Sequence, residues 1–503
     1  MSYKEDRMSQ YIIAHDLGTS GDKATLFQTD GKLVASITET YDVNFFGNQC
    51  AEQNPDDWWN AVCRSTKKIL EKVPNPCEVI AVSFSAQMQG CLIVDKNGIP
   101  IRPAMIWADH RARKEQEKLQ ELIGEDEIYK ITGHRLSASY SIEKLMWLKE
   151  NEPENFGRTY KMLQAKDYII YKLTGKFVTD YSDASGTNAF DLEKLEWSDK
   201  ILHAAGISKD YLPKLCASTD VAGCVSQEAA LITGLAETTL VVCGGGDGPC
   251  SAVGAGCVED NELFATYGTS AWIGGTMDHK FIDDKKVLFC FAHVIPGKYM
   301  PCGTMQSAGS SYGYIKKVLM EEGKSYKEMD ALVMQSPPGA KKLLFLPYLL
   351  GERSPRWNPD TTACFLGIRP EHNREDYLRA VLEGVAMNLE LILQAYQNRM
   401  KIEELILTGG GAKGEVLCQI LADVCSKTLK IPGNVAEATS IGAAVTAGVG
   451  AGIYSGFSEV KRFIQFERTY LPNSEHSEIY QKMKYLFDQS YNQLEPLFIK
   501  FWE

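Results

Sequence analysis

Three apolar runs in this chain break off in glycine. Tyr11 to Ala14 leads into Asp16-Leu17-Gly18, Leu240 to Cys243 into Gly244-Gly245-Gly246, and Leu405 to Leu407 into Gly409-Gly410-Gly411. Short apolar runs ending this way predict strands that deliver tight turns, because glycine tolerates backbone conformations closed to other residues. Two of the turns share more. Asp16-Leu17-Gly18-Thr19-Ser20-Gly21 and Tyr267-Gly268-Thr269-Ser270 both set Gly-Thr-Ser after a strand. This predicts an internal duplication, two halves that open alike. Length agrees, since 503 residues exceed the roughly 250 to 300 at which a single core stops growing.

Between the strands run amphipathic helices, and the clearest follows Asn373. That residue suits an N-cap, Glu375 and Asp376 suit a first turn, and Leu378, Val381, Leu382, Val385, Leu389 and Ile392 fall on one face. Strands mixed with such helices indicate an α/β class. A boundary is expected near Gly254-Ala255-Gly256, because a second strand-and-turn unit, Leu263 to Ser270, starts just beyond it. With 44% hydrophobic and 23% charged residues the chain has ample apolar surface to bury. Its net charge of −12 argues against a nucleic-acid partner. Met1 to Gln10 is polar and no run of about 18 apolar residues follows, so the expectation is a cytoplasmic protein with no membrane partner. The 14 cysteines are scattered through apolar segments without a Cys-x-x-Cys pair and read as reduced, buried thiols.

Glycine turns let backbone N–H groups approach an oxyanion, and Thr or Ser hydroxyls add donors for phosphate. A single Gly-Thr-Ser is no more than a common hairpin turn. Two of them, each after a strand, suit a polyphosphate gripped from both sides. No Gly-x-x-x-x-Gly-Lys-[Ser/Thr] occurs, which excludes a P-loop. Gly409 to Gly414 fits Gly-x-Gly-x-x-Gly and keeps a dinucleotide fold open, although that fingerprint normally begins a βαβ unit. A glycine floor under an adenosine fits the set better.

Several longer motifs resemble the FGGY carbohydrate kinases, within the larger group of sugar kinases, Hsp70 and actin. Ser139 to Asn151 fits the family's first signature, and Ala363 to Ile368 with Asp376-Tyr377 and Ala380 to Glu383 fits its second. Among subfamilies the xylulokinases are most similar, on Trp58-Trp59, Ile106 to Arg111, Asp180 to Thr187 and Leu346 to Pro355. Two places depart. Gln89 stands where xylulokinases usually have His, and Gly248 where they usually have Asn.

The resemblance implies two actin-like, ribonuclease H-like ATPase domains with a cleft between them. The expected spans are 11–256 for sugar and the first phosphate turn, 257–456 for nucleotide, and 457–503 as a helical extension. It implies ATP and Mg²⁺ as cofactors and a small sugar as partner, D-xylulose above all, with a homodimer carried as an open expectation. Asp247 is the implied catalytic base, and it also joins Asp16 in holding a water-coordinated Mg²⁺. Gly18, Thr19, Ser20 and Lys23 would face the transferred phosphate, Gly268, Thr269 and Ser270 the others, and Gly410, Gly411 and Ala412 the adenine. Gln87, Met88, Gln89, Trp107, Asp109 and Asp247 are the sugar-pocket candidates, since amides pair with hydroxyls and an aromatic face covers the C–H side of a sugar.

Bland alternatives stay open for several of these. Asp247 or Asp109 could cap a helix, Lys23 could be a solvated strand lysine, Trp107 could be core, and His15 is read as structural. Other expected acceptors are ribulose, gluconate and erythritol. Glycerol is less favoured, because the Gln87-Met88-Gln89 stretch lacks an Arg-Glu pair. An actin-like or Hsp70-like ATPase without a sugar is the remaining class.

Overall fold

The computed structural model describes residues 10–47, 49–433 and 435–501. Most of the polar opening stretch and the last two residues of the closing segment lie outside the described residues.

Two large mixed sheets organise the chain. The first contains β1 (Tyr11–Leu17), β2 (Gly21–Gln28), β3 (Leu33–Thr40), β4 (Val79–Ala86), β5 (Val221–Cys224) and β6 (Leu240–Val242). Their order is β5-β6-β4-β1-β2-β3, with Gly245–Gly246 also pairing to β4. The second contains β7 (Glu262–Tyr267), β8 (Ala271–Thr276), β9 (Phe289–Ala292), β10 (Tyr299–Met305), β11 (Glu404–Thr408), β12 (Thr428–Pro432) and β13 (Phe466–Tyr470), in the order β9-β10-β8-β7-β11-β12-β13.

Laid side by side, β3-β2-β1-β4-β6-β5 and β10-β8-β7-β11-β12-β13 agree strand for strand. The first two pairs are antiparallel, the next two parallel and the last antiparallel in both sheets. The duplication expected from the Gly-Thr-Ser turns is therefore a duplication of topology. Those turns are the hairpins between corresponding strands, closing at Leu17↔Asp22 and Tyr267↔Ala271.

Central strands are buried on both faces, as parallel pairing under helices requires. On β1, Tyr11, Ile13 and Leu17 join a core with Trp58, Val62 and Ile169, from the helices α1 (Pro55–Leu70) and α2 (Ala165–Thr174). Ile12 and Ala14 point oppositely, toward Cys250 and Val253 of α3 (Asp247–Ala255). The helix expected after Asn373 is α4 (Arg374–Gln397), and Asn373 and Asp376 exchange the bonds of a capping box. It packs on the second sheet beside α5 (Glu415–Cys425).

The chain then returns. The helix α6 (Ala438–Gly450) lies within the span expected for the second unit, yet it packs on β1 and β4 of the first sheet and crosses α3. The crossing is close because glycines sit in it. A Cβ on Gly254 would fall 1.7 Å from the Ala438 carbonyl oxygen, and one on Gly442 would fall 1.9 Å from that of Cys250. The closing segment contributes more than a helix, since β13 forms an edge of the second sheet and Phe457, Val460 and Phe463 pack under α6. Its helix α7 (Ser477–Phe498) seats Tyr480, Met483 and Phe487 in the second core.

The cysteines are unpaired and most are buried, but Cys77 and Cys224 are exposed, which corrects the expectation of uniformly buried thiols. No described helix is long and apolar enough to cross a membrane.

Candidate active site

Asp247 is the first residue of α3, and α3 lies between the two sheets. The N-cap of this helix is Gly246, so Asp247 does not serve as the cap. Gly244, at φ 68°, makes the turn before it, and a Cβ there would fall 2.1 Å from the Phe84 carbonyl oxygen. From behind, the Gly246 N–H donates to Ser182 Oγ at 3.0 Å, and both Ser182 Oγ and Ser218 Oγ donate to Asp180 Oδ2, at 2.5 and 2.6 Å. Beneath them Lys166, fully buried, pairs with Asp167, Asp180 and Asp183 at 2.9, 3.0 and 3.3 Å. Burial opposes the Lys166 charge, but the three carboxylates outweigh it and hold the ammonium pKa well above its usual value. The Asp180 to Thr187 motif thus braces the turn that carries Asp247.

The Asp247 carboxylate opens to the cleft, while the protein packed around it strips away much of its water. That desolvation, together with the negative charge of Asp16, pushes its pKa up to about 7, against a pull from the Gly248 N–H, which donates to Oδ1 at 2.8 Å. Asp16, at the end of β1, is raised as well, mainly by burial, against Lys23 and a 2.5 Å hydrogen bond donated by Thr439 Oγ1. Two carboxylates that disfavour each other's charge suit a cation between them. Carboxylates are the donor type Mg²⁺ takes, since that ion keeps most of its waters and binds one or two carboxylates plus phosphate.

Lys23 does not stand free. Its Nζ donates to the Ala436 carbonyl at 2.7 Å and lies 3.4 Å from Glu437 and 3.7 Å from Asp16, tying β2 to the start of α6. Thr19 is likewise held, its carbonyl by Gln53 Nε2 at 2.7 Å and its hydroxyl by Trp107 Nε1 at 2.9 Å. His15 is buried against Asp22 and Phe84, the structural role expected of it.

In the second half three loops converge. The Ala308 and Ser310 N–H groups donate to the Thr269 carbonyl, and Gly309 N–H donates to that of Gly268, all at 3.0 Å, while Gly411 packs on the Tyr267 ring. Gly268, Thr269 and Gly410 are exposed here, and Ala412 is buried, its carbonyl accepting from Arg468 Nη2 at 2.6 Å. The backbone of Ala308 to Ser310 was not singled out from the sequence, which gives no turn signature there beyond small residues.

Beside Asp247 lies a cavity of about 180 Å³. Its apolar wall is Met88, Trp107, Trp272, Phe289, Phe291 and Met300, and its polar groups include Gln87, Gln89, Thr304 and Arg353. The orientation of Gln87 follows from its neighbours. Trp58 Nε1 can only donate, and it does so to Gln53 Oε1 at 3.1 Å, so the Gln87 group facing that oxygen at 2.8 Å is its NH₂. Gln87 Oε1 is then left buried with no partner among the described residues, at a position lining the cavity. A buried acceptor without a donor is costly unless a ligand supplies one.

Asp109 is placed differently from the other sugar-pocket candidates. It is fully buried, accepts from the Ala51 N–H at 2.8 Å and from Arg111, and does not line the cavity. It does not cap the following helix either, which starts after Ala112. Arg353, inside the quoted motif Leu346 to Pro355, could have been suspected from sequence. Trp272, Phe289, Phe291, Met300 and Thr304 could not, since they reach the cavity only through the packing of the second sheet against the first half.

Comparison with known proteins bears on the family and the fold. The profile of the FGGY family of carbohydrate kinases matches with its N-terminal domain over residues 11–254 and with its C-terminal domain over 263–451. A xylulose kinase of Lactococcus lactis subsp. lactis is 31% identical over 487 residues, 96% of each chain. The solved gluconate kinase of Lactobacillus acidophilus superposes with a TM-score of 0.94 at 28% identity, covering 98% of this chain and 100% of that one. The ligand-bound xylulose kinase of the same organism gives 0.93 at 28%, with the same coverage.

Proposed function

Because the chain belongs to the FGGY family of carbohydrate kinases, we propose that it transfers the γ-phosphoryl group of Mg-ATP to a primary hydroxyl of D-xylulose, giving D-xylulose 5-phosphate. The observation carrying this reading is the adjacency of Asp247 to a small aromatic cavity holding the unpartnered Gln87 Oε1.

In this reading the sugar lies with its C–H face on Trp107 and one hydroxyl donating to Gln87 Oε1. Its reacting hydroxyl meets Asp247, which takes the proton as that oxygen attacks phosphorus. A carboxylate with pKa about 7 suits the task, ionised in much of the protein near neutrality yet basic enough to accept a proton. Bound Mg²⁺ would offset phosphate charge, with Asp16 and Asp247 holding it through water. The Gly18 to Ser20 and Gly268 to Ser270 turns would grip the phosphates from the two sheets, with Gly410 and Gly411 beneath the adenine. Lys23, tied to Asp16 and Glu437, would act by orienting Asp16.

One observation favours a second acceptor. Arg353 lines the cavity and stacks on Phe289 at 5.6 Å, with no carboxylate at ion-pair distance among the described residues, so an aldonate such as gluconate could anchor its carboxylate there. A screen of the purified protein with Mg-ATP against ketopentoses, aldonates and polyols separates the two. Xylulose should give the highest kcat/KM. A tenfold preference for another acceptor would replace the substrate, and turnover independent of any sugar would replace the reaction.

A further inference from the structure

The first family signature, Ser139 to Asn151, supplies none of the groups assigned so far, yet it holds a fully buried lysine. Lys144 sits in the first turns of the helix Ser141–Asn151. Its Nζ donates to three backbone carbonyls, those of Gln89 at 2.9 Å, Ile106 at 2.6 Å and Ser139 at 2.5 Å. An ammonium has three N–H donors, and all three are used. Among the described residues no carboxylate lies within ion-pair distance of it, so the three carbonyls are its direct partners, while burial pulls its pKa down to about 8 against the longer-range pull of Asp109 and Glu143.

One of those carbonyls belongs to a residue that lines the cavity and a second to the neighbour of one. Gln89 lines the cavity and is held at φ 66°, a left-handed conformation that costs energy for a residue with a side chain and persists only where surroundings impose it. Ile106 immediately precedes Trp107, which lines the same cavity and donates to Thr19 in the first phosphate turn. The third carbonyl, Ser139, anchors the clamp to the start of its own helix, where Ser141 Oγ also donates to the Gly90 carbonyl at 2.7 Å. One buried cation thus joins two loops distant in sequence at the point where each presents its pocket residue.

We propose that Lys144 is a positioning residue for the acceptor site, fixing the Gln87 to Gly90 and Ile106-Trp107 loops relative to each other so that Gln89 and Trp107 meet the sugar in register. The inference rests on the cavity being the sugar site. Without the ammonium, the Gln89 and Ile106 carbonyls lose their common donor, Gln89 is free to leave its strained conformation, and the Trp107 ring is no longer set against the acceptor. The nucleotide turns of the second half make no bond to Lys144 and should not register its loss.

The test compares wild type, Lys144→Met, and Lys144→Gln, which keeps two N–H donors without charge, by steady-state kinetics in sugar and in Mg-ATP and by thermal melting. Misplacing a positioned substrate can cost about 10²-fold. We expect kcat/KM for sugar to fall by about 10- to 100-fold in Lys144→Met, mostly through KM, with KM for Mg-ATP changed less than about twofold. Lys144→Gln should fall between it and wild type. A folded variant with unchanged sugar KM, or equal losses toward sugar and nucleotide, overturns the proposal. So does failure of both variants to fold, which would make Lys144 a determinant of the fold. Failure of the wild type to turn over any sugar instead overturns the reading of the site itself.

Discussion

At the residue scale, Asp247 is where geometry and electrostatics meet, and the same environment that raises its pKa sets two expectations. Asp247→Asn keeps shape but removes the proposed proton acceptor, so turnover should fall by about 10²- to 10⁴-fold while sugar affinity is largely kept. Near-normal turnover in a folded variant would remove Asp247 from the mechanism. In the wild type, kcat/KM for sugar should decline below pH about 7, roughly tenfold per unit, as the carboxylate is protonated. The corresponding stability effect has the opposite sense to that of a salt-bridged aspartate. Because the folded pKa lies above the ordinary 3.8, the folded state holds a proton the unfolded chain has released, and stability declines as pH rises from about 4 to about 7. At pH 8 the ionised carboxylate is a net cost, so Asp247→Asn should melt no lower than wild type. A clear drop in Tm there would mean that the residue serves structure.

Elements decide how far apart the two carboxylates stand. Asp247 begins α3, and Asp16 is held by Thr439 at the start of α6, so the α3–α6 crossing sets the geometry between them. The crossing depends on glycine, because a Cβ at Gly442 would meet the backbone of Cys250, which cannot swing aside as a side chain could. Gly442→Ala should therefore destabilise by about 1 to 3 kcal/mol, the usual cost of overpacking, and lower kcat as well, because the helices must part. A urea midpoint and turnover both equal to wild type would show that the crossing has slack.

Across the whole molecule, two equivalent sheets face each other with α3 between them, and the cavity draws Gln87 and Trp107 from one half and Trp272, Thr304 and Arg353 from the other. A pocket lined from both halves changes shape when they move, and phosphoryl transfer requires water to be kept from the γ-phosphate. Sugar and nucleotide together should therefore narrow the cleft and reduce the radius of gyration in small-angle scattering. An unchanged radius at saturation would argue against closure.

Much of this was legible in the sequence. Strand-to-glycine endings, the Gly-Thr-Ser pair and the Asn373 cap depend on neighbours a few residues away, so local physics fixes them and the pattern reveals both duplicated sheets and the turn bearing Asp247. Other features had no local signal. The return of α6 to the first sheet, the place of β13 at the edge of the second, the bond from Ala51 to the buried Asp109, the tethering of Lys23 to Ala436 and the bonds of Lys144 to Gln89 and Ile106 all join residues far apart in sequence. Whether a carboxylate faces a cleft or a guanidinium, and whether a lysine meets solvent or carbonyls, is decided by which elements pack together. That depends on burying the apolar faces of whole sheets, a property of the assembled chain that no single motif carries.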